Sequence, residues 1–200
     1  MARLLDMILV VDLESTCWDG SPPPDESSEI IEIGLCAIDL TSLTRLGKRS
    51  ILVKPVQSVI SSYCTDLTTL TPEMFVNAGS LADAVQQLKN EYRSMERLWA
   101  SWGDYDRRQF ERVCADQSVG YPFGPSHLNV KSLFAAATGC AHELGLDEAC
   151  KRLGLTMEGT HHRGDDDAWN IAEIVCRLLR TIRSHDYISA VECSSSVRTK

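Results

Sequence analysis

Asp12 and Glu14 stand one residue apart at the end of the apolar run Ile8-Leu9-Val10-Val11. In a β-strand, side chains at i and i+2 share a face, so the two carboxylates project together, roughly 6–7 Å apart at about 3.3 Å per residue. Paired acids at the end of a buried strand repel each other and resist desolvation. Either that strand end reaches water or a cation offsets the charge. A second acidic group, Asp165-Asp166-Asp167, opens a long helical pattern, where acids also suit the helix dipole. On a helical wheel the apolar face holds Ala168, Ile171, Ala172, Val175, Leu179 and Ile182. Asp166 points away from it, and Asp165 and Asp167 flank it on opposite sides, so the wheel does not choose between those two. A third group, Trp102-Gly103-Asp104-Tyr105-Asp106, sits between a strand and a helix. Either aspartate there could cap the helix.

Hard oxygen donors from separate elements are what Mg²⁺ or Mn²⁺ requires. Two such ions about 3.5–4 Å apart can stabilise the attacking and leaving oxygens of a phosphodiester displacement. An Asp-x-Glu strand end, a strand-to-helix Asp and a last-helix Asp supply the donors for that arrangement.

The elements that must position these acids follow from apolar spacing and breakers. Strands are expected over Leu5–Glu14, Glu29–Asp39 and Leu46–Val53, close enough in sequence for an antiparallel meander. Three prolines, Pro22 to Pro24, make the first connection a loop. Short helical turns are expected over Thr65–Phe75. Ser80 caps a helix running to about Arg93, and Leu98–Trp102 is a fourth strand stopped by Gly103. Helices follow over Asp106–Gln117, Val130–Thr138, Asp147–Leu153 and Asp165–Arg183. The pattern predicts one α/β domain over 1–188, a mixed sheet covered by helices, and a serine-rich, frayed tail over 189–200.

Composition narrows the classes. Apolar residues make up 44% and charged residues 24% of the 200 residues, which excludes a disordered or collagen-like chain. The net charge of −8 disfavours a wide grip on duplex backbone. Contact with a strand end stays open, because bound metal ions invert the charge of an acidic pocket. No apolar run approaches the roughly 20 residues of a membrane span, and Met7–Val11 is too short for the core of a signal peptide. The expectation is a cytoplasmic protein with no membrane partner. The eight cysteines form no C-x-x-C pair and are expected to be reduced; since the histidines lack paired spacing as well, no zinc is expected.

Three segments resemble, in order, the motifs of the DEDD 3′→5′ exonuclease superfamily. They are Val10-Val11-Asp12-Leu13-Glu14-Ser15-Thr16, Tyr105-Asp106-Arg107-Arg108-Gln109-Phe110 and His162-Arg163-Gly164-Asp165-Asp166-Asp167. The last has the His-x-x-x-x-Asp form of the DEDDh (DnaQ-like) branch, which selects Asp167. Asp106, followed by Phe110 and Cys114, fits the second motif better than Asp104. Cys64–Thr68, His127–Phe134 and Gly145–Ala149 are similar to the subgroup of the histone-mRNA exonuclease and its bacterial relatives. The resemblance covers about residues 7–183 and implies a ribonuclease H-like fold with the three motifs meeting at one sheet edge. It implies that Asp12, Glu14, Asp106 and Asp167 hold two ions, Mg²⁺ or Mn²⁺. His162 would accept a proton from the attacking water. Single-stranded RNA or DNA would be shortened from its 3′ end to nucleoside 5′-monophosphates, with Leu13, Thr16 and Trp18 meeting the substrate. The alternative is a non-catalytic regulator on the same fold, of the kinase-pathway inhibitor type. Loss of a catalytic residue type would favour it, and none is lost.

Other polar and aromatic groups have plainer expectations. His161 reads as surface and His127 as a structural hydrogen-bonding residue. Glu32, alternating with Ile31 and Ile33, is either a strand-face residue or an outer support of the metal site. Trp99 and Trp102 read as core, leaving Trp18 as the base-stacking candidate.

Overall fold

The computed structural model describes residues 2–184. The expected tail over 189–200 and Cys193 lie outside the described residues. Five strands, β1 (Leu4–Ser15), β2 (Ile30–Asp39), β3 (Thr44–Leu52), β4 (Arg97–Ser101) and β5 (His127–Asn129), form one sheet in the order β3-β2-β1-β4-β5. β1, β2 and β3 pair antiparallel, as their short connections require, and β4 and β5 add in parallel. The helices are α1 (Ser62–Thr68), α2 (Leu81–Tyr92), α3 (Tyr105–Asp116), α4 (Val130–Thr138), α5 (Leu146–Arg152) and α6 (Gly164–Ser184). The expected turns over Thr65–Phe75 resolve into α1 and a 3₁₀ turn at Pro72–Phe75. β5 has no counterpart in the expected elements. Its three residues include one aliphatic side chain, too few for an alternation to show.

Both sheet faces are covered, which explains why β1 reads as a continuous apolar run. Ile8, Val10, Cys36, Ile38 and Ala100 pack with Ala168, Ile171, Ala172 and Val175 of α6. Leu9, Val11, Leu35 and Trp99 pack on the opposite face with Val85 and Leu88 of α2 and Phe110 and Val113 of α3. Asp12 and Glu14 have the parity of Ile8 and Val10, so the pleat aims both carboxylates at the α6 side.

α6 reaches that side by a backbone-on-backbone approach. Gly34 pairs with Asp12 in the ladder, and a Cβ on Gly34 would fall 1.8 Å from the carbonyl carbon of Gly164. The first turn of α6 thus rests directly on β2 beside the strand end that carries the acids. Gly34→Ala is expected to lift that turn, costing about 1–3 kcal/mol of stability and weakening divalent-ion binding. Thermal denaturation and metal titration of the variant check this, and normal values for both would show that the close approach is dispensable.

Candidate active site

Each acid arrives by a different local device. Asp12 and Glu14 come from the end of β1. Asp106 follows β4 through Gly103, whose φ of 104° is a turn conformation suited to glycine. It is then the second residue of α3. Asp167 lies in the first turn of α6. The carboxylates of Asp12, Glu14 and Asp167 each offer an oxygen within 4.8 Å of the others. Asp106 is 3% exposed, and its Oδ1 accepts a hydrogen bond from the Leu13 amide at 3.0 Å. All four line one cleft of about 330 Å³, together with His162. Asp104 does not line the cleft and lies near Arg107 at 3.4 Å.

Among the described residues no lysine or arginine lines the cleft. The electrostatic result is severe. Burial, reinforced by the charges of Asp106, Glu14, Asp167 and Glu32, holds Asp12 well above the usual carboxylate range. Burial and the charges of Asp167, Glu32 and Asp106 push Glu14 up to about 9, with Arg163 opposing them. Burial raises Asp106 to about 6 against the lowering effect of the Leu13 amide. Crowded, desolvated carboxylates without an internal cation fit hard divalent ions, which supply the missing charge and prefer oxygen donors.

For Glu32, the strand alternation left two readings open, and the structure makes it a buried acceptor beside the cleft acids. It is fully buried opposite Glu14 and accepts hydrogen bonds from Arg163 at 2.9 and 3.2 Å and from the Gly164 amide at 2.9 Å. This clamp ties the turn before α6 to β2, and so fixes Asp167 across from Asp12 and Glu14.

His162 stands in that turn with φ at 63°, and its ring stacks on His161 with centroids 4.0 Å apart. Partial burial and the neighbouring His161 lower its pKa from the ordinary histidine value. Asp167 receives the His162 amide at 2.9 Å and His161 Nδ1 at 2.9 and 3.1 Å. His161 is therefore not merely surface: its ring is half-exposed but engages a candidate metal ligand. Asp166, which the wheel turns away from the apolar face, is held by Lys48 and by the Thr160 amide at 2.7 Å, packing the approach loop onto α6.

The substrate-facing expectations are partly redrawn. Leu13 and Thr16 line the cleft, but their donors are spent internally. The Leu13 amide binds Asp106, the Thr16 amide binds the Glu29 carbonyl, and the Thr16 hydroxyl donates to the Ser27 carbonyl at 3.3 Å while accepting from the Glu29 amide at 2.8 Å. They contribute wall and not donors. Trp18 does not line the cleft, because its indole turns inward and buries Nε1. Trp102, read as core, does line it, anchored by Nε1 donating to the Leu144 carbonyl at 3.2 Å. Tyr105, 57% exposed, also lines the cleft and was not singled out from the sequence. Its position beside Asp106 was the available signal. Trp99 is core as expected, stacked on Phe123, and His127 hydrogen-bonds Ser101.

A family model described as an exonuclease, RNase_T, matches residues 9–175. The 3′-5′ exonuclease Snipper of Drosophila melanogaster is 24% identical over 195 residues, covering 86% of this chain and 69% of that protein. The 3′-5′ exoribonuclease 1 of Rattus norvegicus is 26% identical over 186 residues, covering 88% of this chain and 53% of that protein. The chain thus spans about half the length of that mammalian relative. The nuclease domain of 3′hExo, described as a DEDDh family member bound to rAMP, superposes with a TM-score of 0.79 at 22% identity, covering 90% of this chain and 95% of that one. Pop2p of S. pombe in its Mg²⁺- and Mn²⁺-bound form superposes with a TM-score of 0.65 at 16% identity, covering 90% and 84%. These likenesses establish the ribonuclease H-like fold.

Proposed function

Since the chain belongs to the RNase_T exonuclease family, we propose that it acts as a DEDDh-type enzyme, removing nucleotides singly from the 3′ end of single-stranded RNA or DNA as nucleoside 5′-monophosphates. The observation that carries this reading is the convergence of Asp12, Glu14, Asp106 and Asp167 with His162 in one cleft free of internal cations. The cleft volume of about 330 Å³ is at the lower end for ligand sites and suits a strand terminus better than a duplex.

Asp12, Glu14, Asp106 and Asp167 would hold two divalent ions, Mg²⁺ or Mn²⁺. When bound, such ions stabilise charge on the attacking and leaving oxygens of the scissile phosphate. Asp106 keeps its aim through the Leu13 amide, and Asp167 through the Glu32–Arg163 clamp. His162 accepts the proton of the attacking water, since its lowered pKa leaves the imidazole neutral at pH 7. The walls at Leu13 and Thr16 border the terminal nucleotide, and Tyr105 offers a face on which its base can stack. A purely regulatory role is disfavoured, because such a role needs none of these five groups to meet.

The test is degradation of 5′-labelled RNA and DNA with free or blocked 3′ ends, beside circular strands, in Mg²⁺, Mn²⁺ or chelator. A ladder shortened stepwise from the free 3′ end, lost in chelator, is the expected result. Internal cutting of circles at a similar rate would overturn the exonuclease reading.

A further inference from the structure

His161, His162 and Asp167 bring two imidazoles and a carboxylate together, with one ligand atom from each within 4.8 Å of the others. This donor set differs in kind from the all-oxygen group formed by Asp12, Glu14 and Asp167. Nitrogen donors favour ions later in the first transition row, and two nitrogens plus an oxygen suit tetrahedral Zn²⁺ far better than octahedral Mg²⁺. We infer that these three residues form a Zn²⁺ site that overlaps the catalytic cleft and shuts it.

The geometry is close to what the ion needs. His161 Nδ1 lies 2.9 Å from Asp167 Oδ2. Zinc bonds of about 2.0–2.1 Å at tetrahedral angles put neighbouring donors roughly 3.3 Å apart. The contact must therefore open by only a few tenths of an ångström, and the His161 ring, 46% exposed, is free to make that shift. The left-handed turn at His162 stacks the two rings side by side on the same carboxylate. The remaining position is left for water or a substrate oxygen. The expectation of no zinc rested on the spacing of the cysteines and histidines, which lack the paired ligand spacing of zinc motifs. This site uses no cysteine and depends on a turn that folds adjacent histidines back onto the following helix.

Occupancy has a direct consequence. The ion takes the lone pair with which His162 would accept a proton, and it draws Asp167 away from the oxygen cage. Zn²⁺ then inhibits in the presence of Mg²⁺. That part of the inference rests on the proposed exonuclease activity, whereas the binding itself does not.

The binding test uses metal-free protein and no nucleic acid. Zn²⁺ is titrated by calorimetry, and Co²⁺ by its visible absorption, which reports tetrahedral nitrogen ligation. His161→Ala is expected to weaken Zn²⁺ binding by at least about 10–100-fold and to bleach the Co²⁺ band while leaving Mn²⁺ binding in place. Asp12→Asn is expected to do the reverse, weakening Mn²⁺ and sparing Zn²⁺. Circular dichroism confirms that both variants fold, and His161→Cys, which restores a zinc ligand, should recover affinity. In the nuclease assay the half-inhibiting Zn²⁺ concentration should rise in His161→Ala by the same factor. Unchanged Zn²⁺ affinity in His161→Ala, or its loss in Asp12→Asn alone, places the ion in the carboxylate cage and overturns the inference. Failure of the exonuclease reading would instead leave the calorimetry intact and show no Mg²⁺-dependent degradation to inhibit.

Discussion

Asp106→Asn is expected to give a folded protein whose turnover is lower by at least about 100-fold, the upper range for disturbing even an outer partner of a metal site. The amide keeps the shape, and its oxygen can still accept from the Leu13 amide, so the start of α3 stays in place. What is lost is a charged oxygen in the cage. The same change should raise the stability of the metal-free protein near pH 8. Asp106 is raised by burial to about 6 in the folded state, from an ordinary 3.8. The folded protein therefore holds this proton more tightly than the unfolded chain between those values. The resulting penalty is absent below about pH 4, grows through that window and is complete above about pH 6. Removing the charge removes the penalty, and each kcal/mol recovered moves Tm up by about 2–4 °C in a domain of this size. Asp104→Asn should be mild in both assays, since Asp104 lies outside the cleft. Thermal melts in chelator beside single-turnover cleavage check the pair. An inactive Asp104→Asn with an active Asp106→Asn would reverse the assignment of the second motif.

His162→Ala is expected to cost about 10²–10⁴ in turnover, the usual contribution of a general base, with Mn²⁺ affinity nearly unchanged. Burial and the neighbouring His161 lower the His162 pKa below 6.5 while Asp167 opposes them. The acid limb of the wild-type rate profile should accordingly lie below pH 6.5 and vanish in the variant. His162 has a φ of 63°, which alanine adopts at some cost and asparagine tolerates better. His162→Asn thus separates chemistry from strain, and it should be as inactive as His162→Ala but more stable. Near-normal turnover in His162→Asn would remove the imidazole from proton transfer.

The sequence carried most of the cleft because its acids sit in strong local patterns. Asp12 and Glu14 end an apolar strand, where the period of two aims them together whatever the rest of the chain does. The wheel left Asp165 and Asp167 open. The structure separates them by what each meets: Asp165 lies 3.9 Å from Lys48, whereas Asp167 faces the end of β1. The resemblance in motif spacing selects Asp167, but helical periodicity alone does not; the position of α6 on the sheet is the physical cause. The same limit explains Trp18 and Trp102. Both are tryptophans near acidic motifs, and burial of an indole edge or face depends on the loops that close over it.

What the sequence determined by itself was the covalent spacing of the motifs, the apolar periodicity that builds a two-sided sheet, and the identities of the acids. Those properties are local, within a strand or a helical turn. The tertiary structure alone decided how Gly34 lets Gly164 approach, how Glu32 clamps Arg163, and why His161 turns onto Asp167. Each of those contacts joins a strand to a distant helix, or folds a turn with a left-handed residue back on the helix that follows. Periodicity cannot encode them, because they are fixed by sheet order and by the close packing of backbones after the elements have formed.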